Sequence, residues 1–288
     1  MLTLALALLV VLSAPAQEAK TEVKPDIVFA EVEGHKLLLD LYLPRGVKEP
    51  PLVVWVHGGA WRAGSRKGMP LDFLVQAGYA VASVDYRLSP MAKFPAQVHD
   101  IKAAIRYLRA HAKEYGYHAE RIGIAGSSAG GHLVALVGVT NGHKELEGSV
   151  GKHLDQSSDV QAIVDYFGAS NLTTILKQST PHGLGVRVPA LKLLLGDGPE
   201  EKPELAKLAS PVFHVDGKDP PLLLIHGDQD PQMPINQAHE LHGVYKQHKL
   251  DVFFEVVHGS GHGGKAFFDA ERNKLVRAFL ERTLRKSK

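Results

Sequence analysis

Apolar positions recur with two different periods along the chain, and the two alternate. Ile27–Val32 and Leu37–Leu43 alternate with a period of two on either side of Glu33-Gly34-His35, which predicts an antiparallel hairpin. Six later runs are short and mostly apolar: PLVVWV from Pro51, which is continuously so, YAVASVDY from Tyr79, RIGIAG from Arg121, VQAIVDYFG from Val160, PLLLIHG from Pro221 and VFFEVVHG from Val252. Such runs fit strands buried on both faces. Between them the period lengthens to that of a helix. Val98, Ile101, Ile105, Leu108 and Ala112 share one face, and Pro95 suits the first turn. Further helices are predicted at Met69–Ala77, Ala129–Val139, Ile235–His248 and Lys265–Arg285.

Strands alternating with helices predict an α/β fold with a mostly parallel central sheet and helices on both faces. Asn171–Pro211 interrupts this alternation. It is rich in Gly, Pro, Thr and Leu, and reads as a lid insertion over the sheet edge, helical around Ala190–Leu195. No repeat or low-complexity linker divides the rest.

Composition narrows the chemistry. The 288 residues carry a net charge of +2 and no block of like charge, which speaks against nucleic-acid or membrane-surface binding. There is no cysteine, so thiolate catalysis, disulfides and thiolate metal sites are excluded. The run Leu2–Leu12 followed by Ala14-Pro15-Ala16 is too short for a bilayer span and reads as a signal peptide over 1–16, cleaved before Gln17. That division leaves 17–288 as one exported domain, secreted or periplasmic, with no lasting membrane association.

Gly126-Ser127-Ser128-Ala129-Gly130 matches G-x-S-x-G between a predicted strand and a predicted helix, the context in which the central serine is a nucleophile. Ser128 is in register; Ser127 is one position out. His57-Gly58-Gly59-Ala60-Trp61 follows a buried strand, and its small residues suit it to an oxyanion hole of backbone N–H groups from Gly58, Gly59 and Ala60, with Ala129 N–H as a further donor. His57 reads as a loop brace. Trp61 is a candidate wall for an acyl or aromatic pocket and equally a candidate core residue. Of Asp228 and Asp230, the latter is the candidate acid, and Asp228 a turn brace. Of His258 and His262, the glycine-flanked His262 is the candidate base. Their i, i+4 spacing falls on a glycine-rich loop without a third ligand, so no metal is expected. Asp85 and Asp100 precede the nucleophile and read as structural. Ser128, Asp230, His262 is the Ser…Asp…His order of the α/β-hydrolase fold.

With HGGAW, ERIGIAGSSAGGHLVAL, HLDQSSDVQAIVDYFG, LLLIHGDQDPQMP and GSGHGG, the chain resembles the α/β-hydrolase carboxylesterases from about Pro51 onward. The nearest resemblance is to the bacterial feruloyl-esterase-type family, related to hormone-sensitive-lipase-like esterases. It implies a cofactor-free serine esterase with Ser128, Asp230 and His262 as its triad. Ala60 stands where lipase relatives often carry a third glycine, a change a backbone donor tolerates. Export suits feruloyl or acetyl esters of plant-wall polysaccharide. The rival readings are an acetylxylan esterase, a prolyl-oligopeptidase-like peptidase, for whose gating domain there is no room, and a non-catalytic binding protein on a hydrolase scaffold, which typically lacks a triad member.

Overall fold

A computed structural model describes residues 21–285; the predicted signal peptide lies outside the described residues. Eight strands form one sheet in the order β1-β2-β4-β3-β5-β6-β7-β8. They are β1 (Thr21–Val32), β2 (His35–Pro44), β3 (Leu52–Val56), β4 (Ala80–Val84), β5 (Ile122–Ser127), β6 (Ala162–Tyr166), β7 (Leu222–Gly227) and β8 (Val252–Val257). The β1–β2 and β2–β4 pairs are antiparallel and every other pair is parallel. This is the α/β-hydrolase architecture.

The apolar runs explain why the central strands β3, β4, β6 and β7 are buried on both faces. By contrast β8, expected to be buried, is an edge strand left half-open with Phe253 exposed. Successive side chains of a strand point to opposite sides. Leu52, Val54 and Val56 enter one core with Val98, Ile101, Ile105 and Leu133, whereas Val53 and Trp55 enter another with Leu74, Val276 and Phe279. Helices Ala96–Ala110, Ala129–Gly138 and Asn236–Gln247 therefore cover one face, and Asp72–Gln76 and Ala270–Leu280 the other. Each fully buried Leu or Val contributes about 1.5–3 kcal/mol, so the layers hold by the sum of many such residues.

Three helices differ from expectation. The helix expected over Met69–Ala77 is only Asp72–Gln76, because Pro70 disfavours helical backbone at Met69. Lys265–Arg285 is broken: a 3₁₀ turn over Lys265–Phe268 ends at Asp269, whose carboxylate accepts from Arg272 N–H and starts a new helix at Ala270. The insertion is far more helical than expected. Its main helix runs Pro181–Leu195, capped by the Thr180 hydroxyl accepting from Gly183 N–H, with Pro181 in its first turn, and ended by left-handed Gly196. Gly183, Arg187, Ala190, Leu191, Leu194 and Leu195 are its buried face. Among the described residues, no helix is long and apolar enough to cross a membrane.

Candidate active site

Parallel strands deliver their carboxyl ends to one edge of the sheet, and the loops beyond β3, β5, β7 and β8 meet there. Ser128 sits between the end of β5 and the helix Ala129–Gly138, with φ 55° and ψ −117°. A non-glycine residue at positive φ costs about 1–3 kcal/mol and persists only where its surroundings hold it. Here Ser128 N–H donates to Tyr166 O at 2.8 Å, and His132 N–H donates to Ser128 O at 3.0 Å. The flanking glycines are required by contact: a Cβ on Gly130 would lie 2.1 Å from Val56 O, and one on Gly126 2.6 Å from Gly130 O.

The strained turn aims the Ser128 hydroxyl at His262. Ser128 Oγ is 2.8 Å from His262 Nε2, and His262 Nδ1–H donates to Asp230 Oδ2 at 2.6 Å. Asp230 Oδ1 accepts from the backbone N–H groups of Gln232 and Met233 at 2.8 and 2.9 Å. Burial opposes the charge of Asp230, but hydrogen bonds from His226, His262 and Met233 N–H outweigh it and hold the carboxyl well below the usual range. The Phe167 ring packs edge-on against His262 at 4.9 Å. The structure thus brings together the three side chains expected from the sequence.

The other expectations separate. Asp228 accepts from Gly259 N–H at 2.7 Å and pairs with His258 at 2.8 Å. The His258 side chain is 85% exposed, so that pair braces a surface turn. Asp85 pairs with Arg66, and Asp100 receives a forked set of bonds from Arg87. His57 bonds Gly58 O at 2.7 Å and stacks on Tyr86; burial lowers its pKa, which suits a neutral brace.

Gly58 presses on the serine: a Cβ there would lie 2.8 Å from Ser127 O and 3.2 Å from Ser128 Cβ. Gly59 has φ 116° and Ala60 φ 50°, and Gly59 O accepts from Arg62 and Ala63 N–H. This tight turn sets the loop carrying Gly58, Gly59 and Ala60 beside the elbow, where Ala129 opens the helix.

Trp61 does not line a pocket. Its side chain is 0% exposed, and its indole N–H donates to His132 Nδ1 at 3.0 Å. Because Nδ1 accepts, His132 Nε2–H donates to Ala209 O at 2.7 Å. Burial pushes the His132 pKa down to about 4, keeping the ring neutral for both bonds. An indole N–H buried on one side of the loop needs an acceptor there, and His132, one helical turn after Ser128, provides it. Trp61 is therefore a strut between the candidate oxyanion loop and the elbow helix.

Two further residues went unread in the sequence. Arg187, 1% exposed on the insertion helix, bonds Gln232 O at 3.3 Å and lies 5.8 Å from the Trp61 ring centroid. It links the loop of Asp230 to the loop of Trp61. Burial pulls its pKa down to about 10, opposed by the charge of Asp230. His226, the first residue of the motif His226-Gly227-x-x-Asp230, lies behind the acid. The motif carried a signal for His226; nothing in the sequence marked Arg187 as buried.

A family model, BD-FAE, matches residues 39–245, which include the loop after β3, the elbow and Asp230. The chain belongs to the BD-FAE family. This BD-FAE chain is 32% identical over 232 residues to Esterase LipC of Mycobacterium tuberculosis, an alignment that covers 78% of this chain and 56% of LipC. It spans about half the length of the curated relatives it matches. Among solved structures, it resembles a truncated carbohydrate esterase from gut microbiota, with TM-score 0.85, 35% identity, and 95% of this chain and 100% of that one covered. A bifunctional GH43-CE protein of Bacteroides eggerthii matches with TM-score 0.82 and 34% identity, covering 91% of this BD-FAE chain and 35% of the other.

Proposed function

We propose that this protein is a serine carboxylesterase acting on short or aromatic acyl esters borne by carbohydrate. The observation that carries the reading is the unbroken line from Ser128 Oγ through the His262 ring to Asp230 Oδ2, with contacts of 2.8 and 2.6 Å. Ser128 attacks the ester carbonyl while its proton passes to His262 Nε2. Asp230 keeps the proton of the resting ring on Nδ1 and stabilises the imidazolium. Backbone N–H groups of Gly58, Gly59, Ala60 and Ala129 hold the oxyanion, and the missing Cβ of Gly58 permits the close approach. The leaving alcohol takes the proton from His262. Water, deprotonated by the same nitrogen, then attacks the acyl-enzyme, and Ser128 recovers its hydrogen as the acid departs.

The carbohydrate part of the reading is supported by the two similar solved structures, whose descriptions name a carbohydrate esterase and a GH43-CE protein. The insertion Asn171–Pro211 supports the acyl preference: in this reading its helix walls the acyl side of the site, where each buried methylene is worth about 0.8 kcal/mol. Removal of a signal peptide before Gln17 and export belong to the same proposal, checked by amino-terminal sequencing of the protein after secretion.

A panel of p-nitrophenyl acetate, methyl ferulate, acetylated xylan and a long-chain triglyceride tests the reading. Hydrolysis of the acetate and ferulate esters without the triglyceride is expected. Cleavage of acetylated xylan with methyl ferulate untouched would replace the feruloyl reading by the acetylxylan one, and no hydrolysis of any ester would reject both.

A further inference from the structure

His226 is the last but one residue of the buried strand β7 and is 1% exposed, so it touches no substrate. Its Nε2 lies 3.0 Å from Met233 O and 3.4 Å from Asp230 Oδ2. A backbone carbonyl only accepts, so Nε2 carries the hydrogen, and that hydrogen faces both oxygens. The opposite nitrogen, Nδ1, is buried with no hydrogen-bond partner among the described residues. A buried lone pair without a donor is a cost. A histidine is thus an expensive way to fill this space, and the return must come from Nε2.

The acid has a specific need for that donor. Backbone N–H groups of Gln232 and Met233 pin Oδ1. They leave Oδ2, the atom that accepts the His262 Nδ1–H hydrogen bond, free to turn out of line. His226 stands on a sheet strand, in register with Val256 of β8, and gives Oδ2 a second contact on a rigid element.

We infer that His226 is a positioning residue for Asp230: with its Nε2–H locked by Met233 O, it holds Oδ2 in line with His262. The inference rests on reading Asp230 as the catalytic acid. Two carboxyl groups lie around the ring. Asp230 faces Nε2. Asp165, on the neighbouring strand β6, is itself pushed up to about 7 by burial. Further out, His262 pairs with Asp230 and Arg187 feels the charge of Asp230.

Two conservative variants separate positioning from packing. In His226→Gln the side-chain amide reaches the place of Nε2; in His226→Asn it stops at the depth of Nδ1, short of Asp230. His226→Gln is expected to keep kcat for p-nitrophenyl acetate within about twofold, whereas His226→Asn should lose about tenfold in kcat, the size of one ordinary hydrogen bond, with KM little changed. The acid limb of kcat/KM should also move to higher pH in His226→Asn. With its second donor gone, the Asp230 carboxylate holds the protonated base more strongly. A folded His226→Asn with native kcat and an unmoved acid limb would overturn the proposal, as would equal losses in the two variants. Imidazole ¹⁵N shifts of the unaltered enzyme give a reading that depends on neither variant nor on turnover. His226 Nε2 should show the protonated pattern expected of a donor to Met233 O, and a ring protonated on Nδ1 alone would refute the assignment even if no ester is found to be a substrate.

Discussion

Two aspartate–histidine pairs are interleaved along the chain, Asp228 with His258 and Asp230 with His262, and burial is what separates them. The outer pair is open to water and braces a turn; the inner pair has an aspartate side chain closed to solvent and a histidine that meets a serine. Asp230→Asn should lower kcat by about 10³–10⁴, because an amide favours the wrong imidazole tautomer. Asp228→Asn should leave kcat within about twofold, since an exposed pair adds little. Steady-state hydrolysis of p-nitrophenyl acetate checks both, and a reversed order would move the acid to Asp228. These assignments were legible because loop position and glycine neighbours distinguish the members of each pair. The place of Trp61 was not. An aromatic beside a loop carries no mark of which way it faces, and its partner His132 lies 71 positions further along the chain.

At the scale of elements, strands were easier to read than helices because a doubly buried strand is apolar at most positions. The insertion helix hid behind Gly183, Gly185 and Pro189, three residues that lower helix propensity. Its real signals were the cap at Thr180, the proline after it and the glycine at 196, and these outweighed the interior. Two glycine substitutions show how differently the same change acts on two elements. Gly130→Ala, in the elbow, drives a methyl group to 2.1 Å from Val56 O, which backbone cannot yield without opening the sheet. A loss of about 3 kcal/mol or more is expected in urea unfolding. Gly185→Ala, on the insertion helix, meets nothing within 4 Å and should add about 0.5–1 kcal/mol by restricting the unfolded chain. A neutral Gly130→Ala would mean that the elbow is not packed as described.

For the whole molecule, the sheet edge that assembles the site also buries charge, and pH tests that burial. Asp165 has an ordinary value of 3.8 and is pushed up to about 7 by burial. The folded chain keeps a proton that the unfolded chain releases, so its contribution to stability is complete below 3.8 and is lost as pH rises through 7. His132 runs the other way: from 6.5 down to about 4, its contribution is complete above 6.5 and is lost as pH falls through 4. The two oppose each other over the same range, so the wild-type curve alone does not separate them. The stability of Asp165→Asn relative to wild type, measured by chemical unfolding, should rise from pH 4 to about pH 7 and level off above it; a constant difference would contradict a buried, proton-holding Asp165. The α/β order of the chain was legible in its two periodicities, but such buried charges depend on contacts between distant strands that no local pattern records. The account turns on one hydroxyl, and the most direct measurement is the mapping of a fluorophosphonate adduct by peptide mass spectrometry, with residual p-nitrophenyl acetate hydrolysis followed in parallel. One adduct per chain on Ser128 is predicted, with hydrolysis falling in proportion to labelling and no labelling in Ser128→Ala; an adduct on Ser127, or hydrolysis that survives complete labelling of Ser128, would contradict the account.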